Sequence, residues 1–220
     1  MICDNFEKYF PLIFQEIITA DLYRLRKFFD RPVDRIIDIG ANYGLFSIYA
    51  RCLFPHAEIF CFEPNPTTFN GLVQNTRGFQ TTCINKALGT GKQVRAVPNK
   101  NIRTSGAVAM VDDEEGTIES LPLPELLADA GTSVGSGTIV KLDCEGGERV
   151  LIDDARCIDI LGSSMSFVME THHGVLNQNI GYPVDRWKQW FQSEFGTKYP
   201  WRVHEFIPLS DPISKKRVLT

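Results

Sequence analysis

The chain has 220 residues, 43% hydrophobic and 23% charged, enough to bury one substantial core, so one α/β domain is a better expectation than two small ones. Its formal charge of −4 comes without any lysine and arginine block, which withholds electrostatic support from a polyanionic partner and makes nucleic acid an unexpected substrate. Cys3, Cys52, Cys61, Cys83, Cys144 and Cys157 form no Cys-x-x-Cys pair, and several lie in apolar runs, as small buried thiols do in a reducing compartment; disulfides and structural zinc are not expected.

Phe6, Tyr9, Phe10, Ile13, Phe14, Ile17 and Ile18 recur at helical spacing, with Pro11 expected at the first turn and the residues before it in an extended arm. Asp21 is expected to cap a second helical piece ending near Phe29. Residues 1–34 therefore read as an N-terminal helical segment, either packed on a sheet or serving as a lid, ahead of a main domain over 35–220. Four apolar runs bounded by turn residues follow, Arg35 to Ile39, Glu58 to Phe62, Thr81 to Ile84 and Thr138 to Leu142, and read as buried strands. Leu45 to Leu53 and Pro66 to Thr76 have helical patterns between them, so strand and helix alternate as in a parallel sheet with right-handed crossovers. The stretch 89–137 breaks the alternation and reads as an irregular insertion, a solvated loop and hairpin or a place for substrate-choosing residues, with one strand expected over Gln93 to Val97 and an acidic turn over Asp112 to Gly116. Beyond it, a helix is expected near Gly147, a strand over Ser166 to Glu170, a helix over Pro183 to Phe195 with Trp187, Trp190 and Phe191 as its core stripe, and a last strand over Trp201 to Ile207. No apolar stretch reaches membrane-spanning length and the first residues lack a charged-then-apolar signal pattern, so a soluble cytoplasmic protein is expected, without a membrane partner.

The segment Asp38-Ile39-Gly40-Ala41-Asn42-Tyr43-Gly44 leaves the first strand and enters a helix, and the second strand ends in an acid, Glu63. Two glycines that let the chain pass close to a ligand, with two carboxylates able to accept hydrogen bonds, describe a nucleoside-cofactor pocket. A nicotinamide fingerprint would need a glycine where Asn42 stands and a third glycine in register, and a phosphate-binding loop would need Gly-Lys-Ser/Thr; neither is present. Asp-x-Gly-x-Asn-x-Gly followed by a strand-ending acid resembles the first two motifs of class I S-adenosylmethionine-dependent methyltransferases. Glu63-Pro64-Asn65-Pro66, Ala87-Leu88-Gly89, Lys141-Leu142-Asp143-Cys144-Glu145-Gly146-Gly147-Glu148 and Glu170-Thr171-His172 then follow in the order and approximate spacing of the FkbM-type methyltransferase family. The chain departs from that family's pattern at Leu121-Pro122-Leu123-Pro124-Glu125, before the fourth strand.

The resemblance implies a Rossmann-like class I methyltransferase fold, a mostly parallel seven-stranded sheet between helices in three α/β/α layers. It implies S-adenosylmethionine as cofactor, with Gly40, Ala41, Asn42 and Gly44 against its methionine part, Asp38 near its amino group, Glu63 on the ribose, Asn65 near the adenosine and the Lys86-Ala87 turn near the adenine. The expected activity is methyl transfer to a hydroxyl oxygen of a small molecule, a sugar or a polyketide-like product; oxygen as the acceptor atom rests on the resemblance alone. The rivals are a cofactor-binding domain without catalysis that serves as a partner-binding module, and a nicotinamide-dependent oxidoreductase.

Alternation along the two later strands sends Asp143 with Glu145, and Glu170 with His172, toward one side of the sheet edge. His172 is the first candidate base for the acceptor hydroxyl, followed by Asp143 or Glu145, with Glu170 orienting the imidazole or contacting substrate. A second reading gives the same four residues, Asp143, Glu145, Glu170 and His172, to a divalent cation such as magnesium. His173 faces the other way and reads as structural, Glu148 and Arg149 as capping and solvated charges, and Lys141, unusual inside an apolar strand, as a snorkelling side chain or an ion pair with a nearby acid.

Overall fold

The computed structural model describes residues 6–98, 108–171, 184–196 and 205–208. Its main sheet has six strands, all parallel: β1 (Arg35–Ile39), β2 (Glu58–Phe62), β3 (Thr81–Ile84), β8 (Thr138–Leu142), β9 (Ser166–Thr171) and β10 (Glu205–Pro208), in the spatial order β3-β2-β1-β8-β9-β10. The order reverses between β1 and β8, and α/β sheets of this kind open a ligand crevice at the carboxyl ends of the strands beside such a reversal. This is a Rossmann-like α/β architecture; the seventh strand of the sequence expectation is not among the described residues.

Each strand of the sheet centre buries both faces, which accounts for the near-continuous apolar runs. Ile36, Ile59, Cys61, Ile139 and Val168 pack against α2 (Leu45–Leu53) and α3 (Pro66–Asn75) and against Tyr23 and Leu25. Ile37, Ile39, Phe62, Val140, Leu142, Phe167 and Met169 pack on the other side against α4 (Leu123–Asp129), α5 (Val150–Asp153), α6 (Arg156–Ser163) and α7 (Val184–Phe191). Helices thus cover both faces, and the three layers follow from the alternation of the strands. Asn65 caps α3 by accepting from Thr67 N at 3.0 Å, with Pro66 in the first turn. Trp187 and Trp190 meet edge to face at 5.7 Å within the core, as the expected core stripe; Trp201 lies outside the described residues.

Several elements differ from the sequence expectation, among them the first helix, the piece after Asp21 and the insertion. α1 runs from Phe6 to Phe14 with Pro11 inside it instead of at its start; the proline cannot donate to the preceding turn, and the helix soon gives way to a π-helical turn over Gln15–Thr19. Asp21 does cap, accepting from Leu25 N at 3.0 Å and Arg26 N at 3.1 Å, but what it caps is a single 3-10 turn, Leu25–Phe28. The insertion is a second, four-stranded sheet of β4 (Ala87–Leu88), β7 (Ile118–Leu121), β5 (Gln93–Pro98) and β6 (Val108–Asp112), in that order. The acidic turn is present before β7, closed by Gly116 N on Asp113 O at 2.9 Å. Among the described residues no helix is long and apolar enough to cross a membrane, and the five described cysteines are free thiols.

Candidate active site

β1 delivers Asp38 to the middle of the sheet, fully buried, and its neighbour across the ladder on β8 is Lys141. The Lys141 ammonium lies 3.1 Å from Asp38 Oδ1 and 3.7 Å from Asp143 Oδ2, and donates to the Gly40 carbonyl at 2.6 Å. The rings of Tyr23 and Phe46 stand 5.6 and 5.8 Å away from it. Of the two explanations for a lysine in an apolar strand, the ion pair is what the structure contains; at 3% exposure the side chain does not snorkel. Burial pulls this ammonium toward neutrality, but the carboxylates of Asp38 and Asp143 outweigh it and hold its pKa above that of an ordinary lysine. Ser47 Oγ, from α2, donates to the other Asp38 oxygen at 2.7 Å.

The loop after β1 turns its backbone inward. Gly40 N and Ala41 N both donate to Phe62 O at 2.9 Å, and Gly44 N donates to Ala41 O at 2.9 Å. Gly40 has φ +81°, and a Cβ built there would stand 1.7 Å from the Asp143 carbonyl oxygen; at Gly44, φ +88°, it would meet Leu72 and Thr76 of α3. The glycines are therefore demanded by the chain's own close packing, a stronger reason than the passage of backbone near a ligand. Asn42, at φ +50°, is held by Glu63, whose Oε2 accepts from Asn42 N and whose Oε1 accepts from Asn65 N, both at 2.9 Å. Burial pushes the Glu63 carboxyl up, those two N–H groups and the Lys141 charge partly offset it, and the result is a pKa of about 7.

β8 ends in a tight reversal, with Glu145 at φ +52° and Gly146 at φ +105°. The buried Glu148 fastens it, accepting from Cys144 N and Gly146 N at 2.9 Å each, so it is a capping residue as expected but an enclosed rather than a solvated one. Gly40, Asn42, Glu63, Pro64, Met110, Asp143, Cys144 and Glu145 line one cleft at this sheet edge. Met110 comes from β6 of the insertion, and Arg149 reaches Asp112 on the same strand at 3.5 Å, which ties the insertion to the site.

Asp143 and Glu170 both reach one residue that the alternation argument did not include. Tyr23, 4% exposed, donates to Asp143 Oδ2 at 2.9 Å and lies 3.5 Å from Glu170 Oε2. Glu145 lines the cleft. His172 and His173 lie outside the described residues, and with them the first candidate base. Lys86 is engaged by Glu119 at 3.1 Å and Asp129 at 2.8 Å, so only backbone remains on offer at the Lys86-Ala87 turn, where Ala87 is buried. Among the described residues no three His, Cys, Asp or Glu side chains are grouped to hold a metal ion, and beside Asp143 it is the Lys141 ammonium that supplies the positive charge. Tyr23, Ser47, Met110 and the enclosed Glu148 are absent from the sequence reading of the site; only Glu148 carried a local signal, its place inside a motif.

No family model matches the chain. It is similar to Methyltransferase sdnD of Sordaria araneosa, 40% identical over 63 residues that make up 29% of this chain and 24% of that relative. It is 35% identical, again over 63 residues with the same 29% and 24% shares, to 31-O-demethyl-FK506 methyltransferase FkbM of Streptomyces tacrolimicus. A longer match, 28% identical over 145 residues, joins 64% of this chain to 57% of Hexuronic acid methyltransferase AglP of Haloferax volcanii. The chain thus matches about a quarter of the length of the first two relatives and just over half of the third. Among solved structures, the plantazolicin methyltransferase BpumL in complex with a triazolic desmethylPZN analog and SAH gives a TM-score of 0.31 at 12% identity, over 64% of this chain and 37% of that one. The resemblance read from the motifs is a resemblance to relatives that bear methyltransferase names, FkbM itself among them.

Proposed function

From this likeness to FkbM-type methyltransferases we propose that the chain is an S-adenosylmethionine-dependent methyltransferase that methylates a hydroxyl oxygen of a small molecule. The observation that carries the reading is the cleft beside the β1/β8 reversal, whose charged lining residues, Glu63, Asp143 and Glu145, are all acidic. That set of anionic acceptors fits a ligand with an ammonium group, a sulfonium and ribose hydroxyls. When bound, the cofactor supplies an electrophilic methyl group. Glu63 has lone pairs left after its two backbone hydrogen bonds and would accept the ribose hydroxyls, with Pro64 and Asn65 beside the adenosine and Gly40, Ala41, Asn42 and Gly44 forming the floor under the methionine part. Asp38 acts from behind that floor, because one of its oxygens faces Lys141 and the other Ser47. The acceptor hydroxyl must lose its proton as it attacks. Asp143 Oδ2 already receives the Tyr23 hydroxyl and faces Lys141, which favours His172, with Glu145 next, as the group that takes the proton. The FK506-type and hexuronic acid names of the relatives support a polyketide-like or sugar hydroxyl as the acceptor.

Thermal unfolding with S-adenosylhomocysteine, with NAD and with neither tests the reading. A ligand that binds only the folded state stabilises it by about 2.7 kcal/mol at a hundred times its Kd, a rise of roughly 5–10 °C for a chain of this length. S-adenosylhomocysteine should produce that rise, NAD should not, and Glu63→Ala should abolish it. Stabilisation by NAD alone would overturn the proposal in favour of nicotinamide chemistry, and binding without turnover on any hydroxyl compound would favour a non-catalytic module.

Glu63 also sets a pH dependence. Its folded pKa of about 7 is raised, so it is fully charged only above that value, and ribose hydroxyls donate to the charged form. Affinity for S-adenosylhomocysteine is therefore expected to hold above pH 7 and to fall by up to about tenfold per unit below it. Calorimetric titrations between pH 5.5 and 8.5 would reveal this slope; a flat profile in the wild type, or an unchanged slope in Glu63→Ala, would remove Glu63 from the role.

A further inference from the structure

Tyr23 stands on a segment that is held in an unusual shape. Asp21, at φ +49°, and Arg24, at φ +54°, flank it, and both lie in the left-handed region that costs an ordinary residue conformational energy. Asp21 clamps the turn that follows, Leu25 beside it is 1% exposed, and the Tyr23 ring packs edge to face on Phe46 at 5.2 Å. This anchoring carries the phenol hydroxyl across 120 residues of sequence separation to Asp143, a residue of the cleft lining, and within reach of Glu170 on the neighbouring strand. One oxygen atom thereby sits between two carboxylates of like charge. The hydroxyl donates to Asp143 and stands within reach of Glu170, with the Lys141 ammonium also beside Asp143, so the orientation of both carboxylates depends on where the phenol is held.

Resting on the proposed cofactor, we propose that Tyr23 is a positioning residue of the cleft, holding Asp143 and Glu170 as a fixed anionic wall that favours positive charge at the sulfur position of the ligand. The wall distinguishes the sulfonium of the methyl donor from the neutral thioether of its product, so loss of the methyl group weakens the product's hold on the site. The remainder of the ligand is common to both and is read elsewhere, by Glu63 and the loop after β1.

The test compares two ligands of different charge character at that position: sinefungin, in which a carbon bearing an ammonium group replaces the methylated sulfur, and S-adenosylhomocysteine, whose thioether there is uncharged. Isothermal titration of the full chain at one pH should show Tyr23→Phe losing about tenfold in sinefungin affinity, the equivalent of one charge-stabilising hydrogen bond, with S-adenosylhomocysteine changed less than about threefold. Glu170→Gln, which removes a charge at nearly constant size, should shift the ratio of the two affinities in the same direction. Heat unfolding without ligand checks that Tyr23→Phe keeps its fold, since the ring and its packing remain. Equal losses for both ligands would mean that Tyr23 acts only by packing, and unchanged affinities that it acts not at all; either result overturns the inference while leaving the methyltransferase reading intact. If the wild type binds neither ligand, that reading falls and takes this one with it.

Discussion

Lys141→Met is expected to destabilise the protein by about 3–5 kcal/mol, the usual cost of removing one partner from a buried charge pair. For a chain of this length that lowers the unfolding midpoint by roughly 10 °C. The argument is one of solvation. Asp38 is 0% exposed, and with Lys141 gone its Oδ1 would face apolar side chains while Ser47 satisfies only Oδ2. The Gly40 carbonyl would lose its donor in the same step, and the Tyr23 and Phe46 rings their cation. Because the folded pKa of Lys141 lies above that of a free lysine, the pair's contribution is complete below about pH 10 and is withdrawn only as pH rises through the folded value. Urea unfolding at pH 7.5 measures the loss. The double variant Lys141→Met with Asp38→Asn should recover more than half of it, since a neutral amide is far cheaper to enclose than an unpaired carboxylate. A loss below about 1 kcal/mol in the single variant, within the range of exposed pairs, would mean that water reaches the pair and that the buried-pair argument is wrong.

Gly40→Ala is expected to have the largest effect of any single substitution considered, leaving little folded protein at 25 °C. Two costs add at this position. The left-handed conformation alone costs an alanine roughly 1–2 kcal/mol. The new methyl group would also stand 1.7 Å from the carbonyl oxygen of Asp143, a backbone atom fixed by the β1–β8 ladder, where Asp143 N continues the strand pairing onto Ile39 O at 3.0 Å. Two other glycines separate these costs. Gly78, at φ +90°, has nothing within 4 Å of an added methyl, so Gly78→Ala should show the conformational cost by itself. At Gly44 the neighbours are the side-chain ends Leu72 Cδ1 at 2.8 Å and Thr76 Cγ2 at 2.9 Å, which can yield in part, so Gly44→Ala should fall in between. Denaturant midpoints ordered Gly78, Gly44, Gly40 from mildest to worst are the expected result. If Gly40→Ala unfolds no more easily than Gly78→Ala, the close approach of the β8 end to this loop is not as described.

What could be read from the sequence, and what could not, divides along the range of the interactions. β1, β2, β3 and β8 have the bounds that their apolar runs indicate, and α2 and α3 begin where Gly44 and Asn65-Pro66 indicate, because each of these signals is local. Of the second sheet, β5 and the acidic turn were legible where expected, and the rest was not, for the opposite reason. β4 has two residues and pairs with β7 more than thirty positions later, so no local period marks it, and the fourth-strand approach that departs from the FkbM pattern proves to be α4 entered through Pro122. α6 went unread because Asp154-Ala155 separates it from α5 by a break too short to notice in a continuous amphipathic stretch. At the site, the acids announced themselves by motif, whereas Tyr23 is an ordinary aromatic in a turn until the fold sets it against Asp143. Lys141 was legible as an anomaly, and its partner followed only from the register that sets Asp38 beside it.

That register has a further consequence. β1 and β8 lie side by side at the centre of the sheet, although the chain between them makes two flanking strands of this sheet, β2 and β3, and all four strands of the second sheet before it returns. Among the described residues no crossover helix connects the two directly; they are joined by the ladder and by an enclosed lysine that grips the acid of β1, the loop carbonyl at Gly40 and the acid beyond β8. Such a seam is indifferent to the length and content of what is threaded between its edges. The stretch that builds the second sheet can therefore be lengthened, shortened or exchanged in evolution, altering what leans over the cleft through positions such as Met110, while the chemistry at the edge keeps its alignment.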